Sequence, residues 1–486
     1  MLFNSYEFVF LFLPVTLAAF LISNAVRPSV NGWVLLLASL VFYAYWDLPF
    51  VLLLVASLVV NYAVGWRVRE SRTVFWLGIA LNLALLFWFK YALFTAGIFV
   101  GKEGARTILG DIILPLGISF WTFHQISYLV DIRRGSAPRP SLPTYATYVL
   151  LFPQLIAGPI VRYKHISWKL QRLFMGLPLR RLVILMSSGL ALFALGLFKK
   201  AAIADPLSFW ADPVFAAASA GTRPLSTLDA WIGAFAYSFQ LYFDFSAYSD
   251  MALGLARMVG IIFPMNFFSP YKSRSIDEFW RRWHMSLSYF VRDYIYIPLG
   301  GSRSGPSRQM LNLFIAFVLI GIWHGAGFAF LLWGAYHGAL VGLSHIVRRI
   351  GVPRMPAVVG VAVTFLLVVF GWVLFRAEDM TTALNVYGPM FTYSDRISIF
   401  NEFAQLQVGI LLIALAAGIA FFAPNTSELL ASRSHGLIYG LRWPASRRFA
   451  APWFRRYALP ALVGVALYFG LTSMGGLGAS FLYFNF

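Results

Sequence analysis

Cysteine is missing from all 486 residues. The chain therefore has no disulfide, no thiolate metal site and no sulfur nucleophile, so any covalent intermediate on a side chain must rest on oxygen or nitrogen. Charge is also scarce: Asp, Glu, Lys and Arg make up 12% of the residues, against 60% hydrophobic. That balance excludes an ordinary soluble domain, where about a quarter of residues are charged. No Walker loop, GxGxxG, HExxH or GxSxG stands in a context that would give it meaning. ATP-driven transport, nicotinamide chemistry and serine-hydrolase chemistry lack their expected parts.

What is present is apolar sequence in long runs. A helix needs about 20 mainly apolar residues to cross the hydrocarbon, and such runs recur at 8–23, 30–46, 50–66, 355–375, 405–423 and 457–474. The pattern predicts an all-α polytopic membrane protein of roughly ten to twelve crossings. The first run has no basic segment before it and no small-residue cleavage site after it, which predicts a retained helix. No internal repeat or domain-length linker divides the chain, so 1–486 reads as one membrane domain.

The formal charge of +19 would suit nucleic acid, but the basic residues sit in short clusters between apolar runs. Anionic lipid and the positive-inside rule account for that pattern, and no nucleic-acid partner is expected. Clusters such as Arg67/Arg69/Arg72, Arg133/Arg134/Arg139, Arg348/Arg349 and Arg455/Arg456 mark cytoplasmic loops. On that assignment the final segment SFLYFNF, residues 480–486, faces outward. Two stretches interrupt the regular spans: 142–160, which contains LFPQLIAGP, and 249–269, ending in FPMNFFSP. Proline and glycine loosen both. Irregular backbone at membrane depth survives only when buried or lining a cavity, so re-entrant segments around a central cavity are expected.

Ionisable groups in apolar segments are costly and are functional candidates by default. His324, in IWHGAG, lies about one helix length beyond Arg308; Gly325 and Gly327 beside it would let backbone or a ligand come close. A structural imidazole hydrogen-bonded to a neighbouring helix is the plain alternative. His284 falls within 271–303, where Phe279, Trp280, Trp283, Leu287, Phe290, Val291 and Tyr294 recur at helical spacing and predict an interfacial amphipathic helix. His337 reads as a packing residue. Asp244 and Asp250 read as ion-pair partners of Arg257 or Arg274, and no metal-ligand pattern occurs. Histidine in a dry site can act as general base on a hydroxyl, which suits acyl transfer to an alcohol.

At these residues the chain resembles a known family. LYFDFSAYSDMALGLARMVGI, SIDEFWRRWHMSLSYFVRDYIYIPLGGSR and GIWHGAGFAFLLWGAYHG resemble the membrane-bound O-acyltransferase family, in its bacterial glycan-modifying branch. LPLGISFWTFHQISYLVDIRRG, LFPQLIAGPIVRY and GWVLFRAEDM match the same branch, so the resemblance covers nearly the whole chain. It implies a central tunnel, with His324 as general base and His284 orienting the acyl group or acceptor, or sharing proton transfer. Trp283, Arg292, Asp293 and Asn312 are candidates for shaping that tunnel. It further implies acetyl-CoA as cytoplasmic donor with no bound cofactor, an extracytoplasmic polysaccharide as acceptor, and a periplasmic SGNH-type acetyltransferase or esterase partner. The location it implies is the bacterial inner membrane.

Finally, FLYFNF is similar to a phenylalanine-rich motif that in this branch carries the acyl group on tyrosine. The resemblance thus makes Tyr483 an acyl carrier in an outward-facing 480–486 segment. An aromatic anchor at the membrane interface is the alternative reading. Peptidoglycan O-acetylation and D-alanyl transfer remain alternative reactions, and a glycan transporter or a non-catalytic scaffold are the rivals from other classes.

Overall fold

The computed structural model describes residues 1–156, 158–221, 223–303, 305–400, 403–430, 453–475 and 482. The described residues form helices and connecting segments without a strand. In chain order the helices are α1 (Leu13–Val26), α2 (Asn31–Ala44), α3 (Leu48–Arg67), α4 (Arg72–Leu109), α5 (Ile118–Arg133), α6 (Leu142–Leu150), α7 (Phe152–Leu155), α8 (Tyr163–Leu173), α9 (Leu179–Phe198) and α10 (Asp205–Ala220). They continue as α11 (Thr227–Met258), α12 (Ile276–Arg282), α13 (Met285–Val291), α14 (Pro306–His324), α15 (Phe328–Arg349), α16 (Ala357–Arg376), α17 (Met380–Phe391), α18 (Phe403–Phe422), α19 (Thr426–Leu429) and α20 (Leu459–Thr472). Eight described helical stretches are long and apolar enough to cross a membrane. All six apolar runs named from sequence are helical, to within a few residues at each end.

The contacts group into two units, 1–197 with 248–265 and 426–475, and 198–247 with 266–425 and 476–486. In the first, apolar helices are tied by buried amides, the interactions that still discriminate partners where hydrophobicity cannot. Asn61 and Asn82 join α3 to α4, the Asn82 Nδ2 donating to the Asn61 Oδ1 at 2.6 Å. The Asn31 amide donates to the Leu173 carbonyl at 3.0 Å, and its Oδ1 accepts the Ser23 hydroxyl at 2.7 Å.

The 142–160 stretch is broken and buried, as expected for irregular backbone inside a membrane protein. The chain leaves helical geometry at Leu151 (φ −53°, ψ 112°), and the freed Phe152 N–H donates to the Ser39 hydroxyl at 3.0 Å. The Tyr148 hydroxyl donates to the Val161 carbonyl at 2.9 Å, closing the segment on itself. Gly117 (φ +69°) lies beneath it: a Cβ there would stand 2.3 Å from the Leu155 carbonyl oxygen.

The second stretch, 249–269, departs from expectation. Residues 249–258 simply continue the 32-residue α11, and only 259–269 leaves helical geometry. The stop is local: Gly260 takes φ +85°, and the Ile261 N–H closes on the Ala256 carbonyl at 2.8 Å, a C-terminal cap that glycine adopts without strain.

Candidate functional site

The second unit contains both candidate histidines. Sequence spacing predicts one amphipathic helix through His284, but the chain breaks there. α12 starts at the Ser275 cap, whose hydroxyl oxygen accepts the Glu278 N–H, and ends at Arg282. Trp283 is then extended and His284 left-handed (φ +39°, ψ +52°) before α13 begins. A left-handed histidine is uncommon. Its cost is met by the 266–268 segment, which supplies the backbone bonds the break removes: Phe268 N–H to the Arg282 carbonyl at 3.0 Å, and Met285 N–H to the Asn266 carbonyl at 2.9 Å.

Asn266 also fixes the imidazole. Its Oδ1 accepts the Ser286 N–H at 3.2 Å and the Ser286 hydroxyl at 2.8 Å, which identifies that atom as the oxygen. The same oxygen lies 3.1 Å from the His284 Nδ1. Two acceptors cannot share a hydrogen bond, so Nδ1 carries the proton and Nε2 the lone pair. His284 lies outside the candidate membrane spans, and burial lowers its pKa to about 3, keeping the ring neutral. Asn266 is not among the residues that sequence reasoning singles out. Its only signal there is its place in the FPMNFFSP interruption.

His324 is the last residue of α14. Its ring packs against Trp323 at 4.9 Å between centroids, edge-on to Trp333 at 5.1 Å and against Phe375 at 5.0 Å. Trp323 also faces His284, at 6.4 Å. The two imidazoles thus share one indole, and Phe245 covers His284 from another side at 4.7 Å.

The approach of α15 to α14 depends on glycines. A Cβ on Gly321 would lie 2.3 Å from the Phe330 carbonyl oxygen, and one on Gly334 would lie 2.5 Å from that of Phe317. Gly325, expected to admit backbone or a ligand, instead admits the Phe330 ring, 2.1 Å from where a Cβ would be.

The other sequence candidates divide. Trp283 belongs to the site wall, buried and 4.8 Å from Trp372 between ring centroids. Asn312 is buried and donates to the Gly301 carbonyl at 3.1 Å, holding the turn before α14. Arg292 and Asp293 pair with each other at 2.7 Å, and the guanidinium sits over the Tyr289 ring at a half-exposed position. His337 is buried against Trp280 and Trp333, and neither ring nitrogen has a hydrogen-bond partner among the described residues. Asp244 pairs with Lys200 and not with Arg257 or Arg274, and Asp250 accepts the Thr426 hydroxyl. Tyr483 lies outside the described residues. No trio of His, Asp or Glu among the described residues is grouped as metal ligands.

This arrangement can hold a neutral imidazole, with a directed lone pair, beside a second one in a dry aromatic enclosure. Proton abstraction from a hydroxyl is the chemistry it favours. The sequence profile of the membrane-bound O-acyltransferase family matches residues 47–377. The chain is 41% identical, over 87% of its length and 81% of the relative's, to a Pseudomonas aeruginosa protein named "Probable alginate O-acetylase". It is 39% identical, over 80% of each chain, to a peptidoglycan O-acetyltransferase of Helicobacter pylori. A teichoic acid D-alanyltransferase of Bacillus subtilis is 26% identical over 55% of this chain and 70% of its own. With eight candidate spans, two buried histidines beside one indole and these relatives, the chain belongs to the membrane-bound O-acyltransferase family and is a multi-pass membrane O-acyltransferase.

Proposed function

We propose that the enzyme takes an acetyl group from cytoplasmic acetyl-CoA and delivers it across the bacterial inner membrane for O-acetylation of an extracytoplasmic polysaccharide such as alginate. The observation that carries this reading is the placing of both His284 and His324 against Trp323. It gains support from the high identity to a named alginate O-acetylase over most of both chains.

In this reading His324 accepts the proton of an acceptor hydroxyl as the oxygen attacks the thioester carbonyl. A C–O bond forms, the C–S bond breaks, and the CoA thiolate leaves and takes up a proton. His284, with its tautomer set by Asn266, orients the reacting group through Nε2. The outer hydroxyl is that of Tyr483, whose phenol ester passes the acetyl group to a periplasmic SGNH-type partner with its own serine. Peptidoglycan O-acetylation is the second reading, favoured by the Helicobacter pylori relative.

The test is peptide mass spectrometry after incubation with isotopically heavy acetyl-CoA, comparing the parent protein with His324→Ala and Tyr483→Phe. Label on the 480–486 peptide, lost in both variants, is the expected result. Consumption of thioester with Tyr483→Phe unchanged would remove the carrier role and leave the enzyme class. Failure to consume thioester, with partner and glycan present, would overturn the reading.

A further inference from the structure

The six-residue segment Lys199–Ala204 between α9 and α10 is wound as a π-helix, a form that is often found at functional sites. Lys200 is buried, and its Nζ lies 2.6 Å from the Asp244 Oδ1 and 2.8 Å from the Asp205 Oδ1. One ammonium and two carboxylates leave a formal excess of one negative charge. Buried carboxylates demand donors on every oxygen they expose to the interior. The second oxygen of Asp244 finds its donor far away in sequence: the backbone N–H of Leu482, at 3.0 Å. Leu482 itself is buried.

The neighbour of Asp244 on α11 is Phe245, whose ring meets His284 edge-on. A single turn of α11 therefore holds the Leu482 backbone with one residue and braces the His284 imidazole with the next. We propose that Lys200, Asp205 and Asp244 form a charged dock for the 480–486 segment, with Asp244 as a positioning residue that grips it by the main chain immediately before Tyr483. The dock rests on the carrier reading only for its purpose; the grip itself is a separate claim. Lys200 holds Asp244 in place, and Asp205 is a second carboxylate partner of the lysine.

The absence of cysteine makes the test clean, since one introduced thiol is the only one in the chain. Asn485→Cys is placed in the full-length protein in intact membranes, and its rate of reaction with a membrane-impermeant maleimide is measured. Leu482→Pro removes the donated N–H while leaving the Lys200–Asp244 pair untouched, and Leu482→Ala keeps the N–H. A hydrogen bond to a charged group is worth roughly 10- to 100-fold in a docking equilibrium. Leu482→Ala loses the apolar burial but keeps the N–H, so Leu482→Pro is expected to label faster than Leu482→Ala by that factor, and Asp244→Ala to label faster than the parent by the same factor.

Labelling of Leu482→Pro no faster than that of Leu482→Ala would overturn the dock, whatever Tyr483→Phe does. Faster labelling with Tyr483→Phe fully active would uphold the dock and remove the carrier role. Faster labelling together with slower acetyl transfer to the 480–486 peptide would uphold both.

Discussion

Adding one methyl group at Gly334 should damage the site without touching it. In the native packing a Cβ at that position would lie 2.5 Å from the Phe317 carbonyl oxygen and 3.1 Å from the Val318 Cα, both main-chain atoms of α14 that no rotamer change can move. Contacts below 3.0 Å are essentially never tolerated, so α14 and α15 must separate by at least the missing half ångström. The opposing Gly321 precedes Trp323 and His324 within the same helical turn, so the separation falls where α14 delivers the imidazole. Overpacking of this kind costs about 1–3 kcal/mol of stability, and a misplacement approaching 1 Å at a reacting group can cost on the order of 100-fold in rate. The variant should therefore show a modest loss in thermal stability in detergent and a much larger loss in O-acyl transfer. Gly321→Ala should behave likewise, and the double variant should cost less than the two single losses combined, because the helices separate once. Unchanged stability and transfer in Gly334→Ala would refute the close-packed seam. Equal losses in proportion would refute the argument that geometry at His324 is what suffers.

His284→Asn retains a side chain that tolerates left-handed backbone and removes the imidazole. It should fold like the parent and transfer the acyl group at least about 100-fold more slowly, by the usual contribution of such a group, in a single-turnover assay. The pH dependence of stability carries the same residue's signature. Its folded pKa, about 3, lies below the unfolded value of 6.5, so the unfolded chain binds more protons between those limits. Stability from this group is fully present above pH 6.5 and falls as the pH drops toward 3, by up to about 1.4 kcal/mol per pH unit; His284→Asn should flatten part of that slope in thermal melts. Asp277 accepts the Ser344 hydroxyl at 2.8 Å and pairs with Arg348, tying α12 to α15. Because Arg348 is half exposed, Asp277→Ala should cost only about 1–2 kcal/mol, and far less when Arg348→Ala is already present, which a double-mutant cycle on thermal stability measures.

The apolar runs and the buried break near Leu151 were legible in the sequence because each arises from local chemistry: length of apolar run, proline and glycine. The kink at His284 was not. Nothing in FWRRWHMSL interrupts a helix by itself, and the interruption comes from Asn266 and Phe268 supplying main-chain partners to Met285 and Arg282. The pairing of Asp244 with Lys200 escaped for a similar reason: 44 positions separate them, and the lysine lies in a π-helical stretch, Lys199–Ala204, that an apolar run does not announce. Conversely, the glycine at 260 does end α11, so an interruption read as a second re-entrant element is a helix terminus joined to an irregular segment. Glycines next to His324 stand out in the sequence for the space they leave, but Phe330 fills the space at Gly325.

The indoles around the site form a connected group: Trp283 lies 4.8 Å from Trp372, Trp372 is stacked 6.0 Å from Trp333, and Trp333 is 5.7 Å from Trp280. Chromophores that close and that rigidly inclined exchange excitation and acquire a joint optical handedness none has alone. The aromatic region of the circular dichroism spectrum, which vanishes when side-chain packing loosens even while helices persist, therefore carries a contribution from this group among those of the chain's other aromatic residues. A detergent that preserves the far-ultraviolet signal but erases that band has kept the helices and lost the aromatic packing, this group included, and the loss is visible before any substrate is added.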